Sequence, residues 1–524
     1  MKIKVSNLDN PVIQGFLFGG MIKMTKKSLL AKVLEKRGIS LKDFKFEKYP
    51  NLIENFPELE NAIKDTLEEL FYDAPADIEI GVHYDVDSDG LFAGYIMEDF
   101  LKRMGFTEVH NFINPLKKHG IVEETIEWAI EKNLKWLFVV DSGSTNYDEI
   151  RYLTEKGIKV VVLDHHPYTE QELPENAWLV NISKYPNLPD ISGCGVTYRF
   201  IEGVADAFEN MIVDDYEVFV GITAISDMMD MRDSENRYYV RQAFEGRSST
   251  ELFRKIPFWG SNMSFYGWQL VPYLNAMIRI GAEKRAVRVV NNMNDRIQMA
   301  RTEAEIKRIK GLQKDFMSEL EQRSKIKEND HVVLCLRIGE DKLRTLNGLV
   351  GNQLVSKYGK SALVLAYNKE IDRWSGSFRG FQFTNKELTE WGFECKGHPQ
   401  ACGASISHEG LLKFFKEATF PPYEKPKADI YVDEDEITDH DLLEIAQFNE
   451  YTGTGLPKIL IGFKNGTDSI EAIDEVGNKN ILILNKFEVI DFDQTTEIGV
   501  NIDKEDLIVT PTLSLDGYQL FKER

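Results

Sequence analysis

The chain has 524 residues, 43% of them hydrophobic, and a formal net charge of −22. That length exceeds a single core and predicts several domains, while the acidic balance argues against a generic nucleic-acid coat, whose phosphate partners call for a basic surface. No apolar run approaches the ~20 residues of a membrane span, the first residues lack a signal-peptide apolar segment, and four cysteines in so long a chain point to a reducing, cytoplasmic setting without a membrane.

Residues 1–75 read as a helical lead-in. Leu29–Leu34 has helical spacing and stops at Arg37-Gly38, and a second amphipathic stretch runs from Leu59 to Phe71. In a unit spanning 76–300, the pattern alternates from 76 to about 245: strand to Val82, helix Gly90–Met104, strand Val109–Ile113, helix Val122–Asn133, strand to Val140, helix Asn146–Lys156, strand to Leu163. Such alternation predicts an α/β unit with a doubly wound parallel sheet. Its tail, 246–300, is helical and aromatic; Phe258, Trp259, Phe265, Tyr266, Trp268 and Tyr273 read as core more readily than as platforms for bases. Residues 301–326 hold no Pro and one Gly, and predict one connecting helix ~37 Å long with Lys307, Arg308, Lys310 and Lys314 on a solvated face. Residues 327–424 form a second, smaller α/β unit, with strand Val332–Leu336, helix Leu346–Tyr358 and strand Ser361–Tyr367, closing through Gly397-His398 and Ala401–Ala404. Pro421, Pro422 and Pro426 mark a boundary, beyond which 425–524 carries an acidic helix at Asp439–Ala446 and β-type runs at Ile459–Phe463, Ile481–Phe487 and Leu507–Pro511, a small β domain of barrel type.

The apolar runs end in a repeated way. Ile78–Val82 leads into His83, Asp85, Asp87 and Asp89; Trp136–Val140 into Asp141; Lys159–Leu163 into Asp164, His165 and His166; and the stretch from Val218 ends in Ser226-Asp227. In an open parallel sheet, ligands bind outside the carboxyl ends of the strands, so these carboxylates and imidazoles converge on one place, a metal site. Cys395, His398 and Cys402 are a weaker metal candidate, because their spacing is not a usual zinc pattern and no fourth ligand is near.

His83–Gly90, Val139–Asp141, Asp164–His166 and Ser226-Asp227 resemble the four motifs of the DHH phosphoesterase superfamily, and within it the chain is most similar to the RecJ single-strand exonucleases. Asn181, Ser192–Val196, Glu235–Arg237, Pro272–Ala276 with Arg279, and Leu30–Gly38 resemble RecJ-type sequence. Lys396–Gly403 resembles the Gly-Gly-His signature of the DHH-associated domain, and Ser375–Arg379 its phosphate-gripping Ser-x-Arg. Two departures weaken the expected grip on DNA rather than the chemistry: Lys396 stands in place of the signature's first Gly, and Tyr273 follows Pro272 where an Arg is expected. A small, divergent, phage-borne member would fit.

The resemblance implies a DHH domain joined by a long helix to a DHH-associated domain, with an OB-like barrel at the C-terminal end. It implies two divalent ions, Mn²⁺ or Mg²⁺, which suit mixed imidazole and carboxylate ligands. His83, Asp87 and Asp141 would hold one, and Asp89, Asp141, His165 and Asp227 the other, with Asp141 bridging. His166 would lie at the scissile phosphate, Asp85 and Asp164 would orient the ligands, and Asn275, Arg279, Ser375, Ser377, Arg379 and His398 would bind substrate. The implied activity is 5′→3′ hydrolysis of single-stranded DNA, in preference to RNA, to mononucleotides, by a monomer serving DNA repair and recombination. The alternatives are an oligonucleotide (nanoRNase) or cyclic-dinucleotide phosphodiesterase and, outside enzymes, a replication scaffold that keeps the fold. Shorter relatives lack the lead-in and terminal β domain, and a scaffold would have lost ligands that are all present here.

Overall fold

In a computed structural model of the chain, the described residues are 28–40, 44–245, 266–291, 308, 311–320, 322–338, 344–369, 371–421, 427–464, 470–476, 479–484, 486–491, 507–514 and 517–522. Helix α1 (Leu29–Lys36) is capped by Ser28, whose side chain accepts from the Ala31 amide. Helix α2 (Pro57–Thr66) starts with proline at its first turn, where a missing N–H costs nothing, and runs into a π turn at Leu67–Phe71.

Five parallel strands follow: β1 (Ile80–Tyr84), β2 (Val109–Ile113), β3 (Trp136–Val140), β4 (Lys159–Asp164) and β5 (Ala177–Asn181), in the order β2-β1-β3-β4-β5. Strand β5 has no counterpart among the expected strands. β1 and β3 are buried at every position because helices cover both faces of the sheet. Alternation divides the side chains: Val161 and Leu163 pack with α2, α3 (Ser88–Arg103), α6 (Gly193–Ala205) and α7 (Glu217–Ser226), whereas Val160 and Val162 pack with α4 (Glu123–Glu131) and α5 (Tyr147–Glu155). The strand order reverses between β1 and β3, so their carboxyl ends open the crevice that such a sheet offers a ligand. The apolar stretch from Val218 is helix α7. It packs on α8 (Ser234–Glu245) so closely that a Cβ on Gly221 would lie 2.0 Å from the Tyr239 carbonyl oxygen.

Helices α9 (Val271–Arg279) and α10 (Glu283–Asn291) complete this unit. Of the expected connecting helix, positions 311–320 are helical and Arg308 and Lys314 are exposed, but Lys325 and Ile326 belong to a strand; 301–307, 309–310 and 321 lie outside the described residues. Phe258, Trp259 and Phe265 also lie outside them, while Tyr266 is buried core.

The second sheet is mixed, ordered β10-β11-β9-β8-β7-β6, from β6 (Lys325–Glu328), β7 (Val332–Ile338), β8 (Ser361–Asn368), β9 (Arg373–Arg379), β10 (Glu394–His398) and β11 (Ala401–Ser407). Helix α11 (Asn347–Tyr358) covers one face through Val350 and Leu354 and ends at Gly359, whose φ of 61° is the left-handed cap that glycine adopts without strain. A third sheet has seven described strands, β12 (Ile430–Val432), β13 (Ile461–Phe463), β14 (Ile470–Val476), β15 (Lys479–Leu484), β16 (Glu488–Asp491), β17 (Leu507–Ser514) and β18 (Gly517–Lys522), in the open order β12-β13-β17-β18-β16-β15-β14, packed on α12 (Asp439–Asn449). Among the described strands no pairing closes this row into a ring. The stretch expected as one lead-in is divided: α2 packs on the first sheet's unit, whereas Leu30, Val33 and Leu34 of α1 lie in the C-terminal core. No described helix is long and apolar enough to cross a membrane.

Candidate metal centre

Asp85, Asp87, Asp89, Asp141, His165, His166 and Asp227 converge at the carboxyl end of the first sheet. Three overlapping groups have ligand atoms within 4.8 Å of one another: Asp85-Asp87-Asp141, Asp89-His165-Asp227 and Asp141-His165-His166. His165 Nε2 lies 3.2 Å from Asp227 Oδ2, 3.4 Å from Asp141 Oδ1 and 3.7 Å from Asp89 Oδ2.

Each side chain is placed by its element. Asp87 caps α3, its Oδ1 accepting from the amides of Asp89 and Gly90. Asp89 is buried and accepts from the Gly193 and Cys194 amides at 2.7 and 3.0 Å, the first turn of α6, where unpaired N–H groups and the helix dipole favour an anion. Asp141 follows β3 with a φ of 59°, a conformation that a short polar side chain tolerates, and its amide bonds the Leu163 carbonyl of β4. Asp164 ends β4 and accepts from the amides of Ser144, His165 and His166 and from His166 Nδ1 at 2.9 Å. Asn181, at the end of β5, donates to the Ser144 hydroxyl and the His166 carbonyl, so the unforeseen fifth strand braces the histidine pair.

One expected ligand, His83, stands outside these groups. His83 sits inside the central strand β1, fully buried and stacked on Phe112, and joins none of the metal-capable groups. Burial lowers its pKa to about 4, which keeps the ring neutral. Asp85, expected to orient ligands, lies close to Asp87 and Asp141, and its Oδ2 meets His119 Nδ1 at 2.7 Å.

The electrostatics are those of a cation site. Burial and the neighbouring carboxylates Asp89, Asp87, Asp85 and Asp227 push the Asp141 carboxyl well above its ordinary range. Asp227 is pushed up to about 7 by burial and by Asp89. The two oxygens of Asp141 are buried without a hydrogen-bond partner among the described residues. A buried carboxylate in that condition is costly unless a cation meets it. His166, hydrogen-bonded to Asp164, has its pKa raised to about 9, and Asp164 is held down to about 2.

Beside this cluster, between the first and second sheets, a pocket of about 330 Å³ is lined by Lys117, Arg279, Thr345, Gly348, Leu349, Asn352, Ser377 and Arg379. Arg279, Ser377 and Arg379 are therefore brought together as expected residues of one site. Ser375 points elsewhere, pairing its hydroxyl with Ser405. Asn275 accepts from the Ser88 hydroxyl at 3.0 Å, next to the metal cluster. The side chain of His398 lies outside the described residues. Burial lowers the pKa values of Lys117, Arg279 and Arg379; Arg279 and Arg379 lower that of Lys117 further, and Arg379 that of Arg279. Such a trio calls for an anion. Lys117 was missed in the sequence, yet it ends a turn directly after β2, so the strand-end rule applied to that strand finds it. Thr345 and Asn352 carried no such signal; the Thr345 hydroxyl joins the two units by donating to the Arg279 carbonyl at 2.6 Å.

Comparison with known proteins agrees with this geometry. Residues 77–221 match the family model for the DHH family, N-terminal domain. A protein of the SPbeta prophage of Bacillus subtilis, named for single-strand DNA-specific exonuclease activity, is 26% identical over 453 residues, 76% of each chain. The single-stranded-DNA-specific exonuclease RecJ of Bacillus subtilis is 24% identical over 359 residues, 64% of this chain and 44% of that one. The crystal structure of RecJ from Thermus thermophilus in complex with Mn²⁺ superposes with a TM-score of 0.68 at 19% identity, covering 94% of this chain and 74% of the other, a likeness of fold. With its strand-end carboxylates and its histidine pair, the chain matches the DHH family's N-terminal domain over residues 77–221 and resembles the RecJ exonucleases in sequence and fold.

Proposed function

We propose that the chain is a phosphodiesterase dependent on Mn²⁺ or Mg²⁺, a 5′→3′ exonuclease that hydrolyses single-stranded DNA to 5′-mononucleotides. The observation that carries this reading is Asp141, buried with both oxygens unpartnered among the described residues and shared by two of the metal-capable groups. The donor set of carboxylates and imidazole fits hard divalent cations. Asp85, Asp87 and Asp141 would hold one ion, and Asp89, Asp141, His165 and Asp227 the other. Two such ions supply a hydroxide at neutral pH and stabilise both oxygens of an in-line phosphoryl displacement.

The chain's own groups do the rest. Asp164 engages Nδ1 of His166 and keeps the ring protonated, leaving Nε2 as the donor to the scissile phosphate. Lys117, Arg279, Ser377 and Arg379 bind the terminal 5′-phosphate, because guanidinium groups grip phosphate through paired N–H donors and the pocket's charges repel one another without an anion. An end-binding pocket beside the cluster is what makes an exonuclease, since the metal centre treats every phosphodiester alike. The names of the relatives support the choice of single-stranded DNA.

The test is hydrolysis of 5′- and 3′-labelled single-stranded DNA, RNA and dinucleotides with Mn²⁺, products being sized over time. Mononucleotides released in order from the 5′ end of DNA are expected. Cleavage confined to dinucleotides, or unchanged activity in Asp141→Ala, would overturn the reading.

A further inference from the structure

Most of the metal-capable side chains ride on the first sheet, at or just past the ends of β1, β3 and β4, or on the start of α3. Asp227 does not. It caps the C-terminus of α7, and the next residue, Met228, is exposed with a φ of 55°, a strained conformation for a side chain of that size. The loop that follows leaves its own unit. Met229 and Met231 are buried in one cluster that joins Ala224 of α7 and Val240 of α8 to Leu30, Val33 and Leu34 of α1 and to Ile437, Leu442, Ile445, Phe448 and Leu456 of the C-terminal unit.

The backbone makes the same crossing. Asp230 bridges Thr454 in parallel β fashion, and the Met231 amide donates to the Thr454 carbonyl at 2.9 Å. Thr454 belongs to a tight turn closed by two hydrogen bonds between Gly453 and Leu456. Buried Asn449 anchors that turn, its side chain accepting from the Ile459 amide and donating to the Pro511 carbonyl. Gly455 has a φ of 73°, and an added Cβ there would lie 2.2 Å from Asp230 Oδ1 and 2.6 Å from Arg232 Nε. Within the first unit, Asn236 and Arg237 bind the loop's carbonyl groups at Asp230, Met231 and Arg232. The Met229 amide turns back to the Ala224 carbonyl of α7, whereas the Met231 amide goes to the C-terminal unit.

We propose that the turn at 453–456 of the C-terminal unit is a positioning device for the metal centre, holding Asp227 in place through the Asp230–Thr454 bridge. This rests on the two-ion reading above. Asp227 itself is tied to α7, its amide donating to the Thr223 carbonyl at 2.9 Å, but the loop that follows it is paired with a surface more than two hundred residues further along the chain. The coupling is specific: it reaches the ion of Asp89, His165 and Asp227, and not the ion of Asp85, Asp87 and Asp141, whose side chains follow β1 and β3.

The test is Mn²⁺ titration of the full chain, free ion being read by electron paramagnetic resonance, in wild type, Gly455→Ala and Gly157→Ala. Gly157 is the matched control: its φ is 80° and nothing lies within 4 Å, so alanine adds backbone strain and no clash. Gly455→Ala is expected to weaken one of two ions by about tenfold or more and leave the other unchanged, the pattern of Asp227→Ala, with loss of hydrogen-exchange protection at the Met231 amide. Gly157→Ala is expected to bind both as wild type does. If Gly455→Ala does not fold, Thr454→Gly, which loosens the bridged position without adding an atom, carries the same comparison. A Met231 amide that opens while both ions bind with wild-type affinity overturns the proposal. A wild-type chain that takes up fewer than two ions overturns the two-ion reading and this proposal with it.

Discussion

Gly193 is the residue at which the site's geometry is least forgiving. A Cβ there would stand 2.2 Å from Asp141 Oδ1 and 2.7 Å from its Cα, a backbone atom. Gly193→Ala should displace Asp141 by around an ångström and cut turnover by on the order of 10²-fold, with weakened metal uptake; a metal titration alongside steady-state kinetics checks it. The Asp164–His166 pair sets a pH window in the metal-free protein. Asp164 is held down to about 2, so its contribution to stability is complete above about pH 4 and is lost as the pH falls toward 2. His166 is raised to about 9, so its contribution is complete below about pH 6.5 and is lost as the pH rises through 9. Thermal unfolding in chelator should therefore show the pair's largest effect between about pH 4 and 6.5, and Asp164→Asn should flatten both limbs. In the basic pocket, Arg379→Ala should cost about 2–4 kcal/mol of transition-state binding on 5′-phosphorylated strands, and little on bis(p-nitrophenyl) phosphate, which has no strand end to grip. Comparing kcat/KM on the two substrates decides it, since equal losses would assign Arg379 to the fold.

Among the elements, α1 is the one whose place in the chain gives no clue to its place in the molecule. It lies at the start of the chain and packs in the core of the last sheet. Arg37, just past its end, grips Asp429 with two bonds of 2.7 Å and reaches the carbonyls of Pro457 and Lys458. A guanidinium with a bidentate carboxylate and two carbonyls, most of it shielded from water, is worth far more than an open surface pair. Arg37→Ala should destabilise the C-terminal unit by about 1–3 kcal/mol, seen as a lower urea midpoint for that transition. A midpoint unchanged from wild type would show that apolar packing alone holds α1.

At the scale of the whole molecule, an acidic chain of net charge −22 concentrates cations where substrate would be gripped. Lys117 comes from the loop after β2, Arg279 from the end of α9 and Arg379 from the second sheet, so the pocket exists only where the two units meet. Its volume of about 330 Å³ has room for one strand end and not for the end of a duplex. Blunt duplexes should accordingly resist hydrolysis under conditions that degrade single strands, and equal rates on both would refute the arrangement.

The parallel sheet and its chemistry were legible along the chain because alternating strands and helices admit few topologies, and a carboxylate at a strand's carboxyl end has one crevice to face. Asp141, His165 and His166 needed nothing more. The closeness of Asp85 to Asp87 and Asp141 was not legible, because Tyr84 closes β1 and the path of the chain beyond a strand's end follows no period. Strand β5 was hidden because Trp178-Leu179-Val180 is short and follows a polar, proline-containing segment. The gathering of Lys117, Arg279 and Arg379, the seat of α1 beside the last sheet and the bridge from Asp230 to Thr454 belong to tertiary structure alone. Contacts between residues far apart in sequence leave no local period or spacing, and only burial of the surfaces between units brings them together.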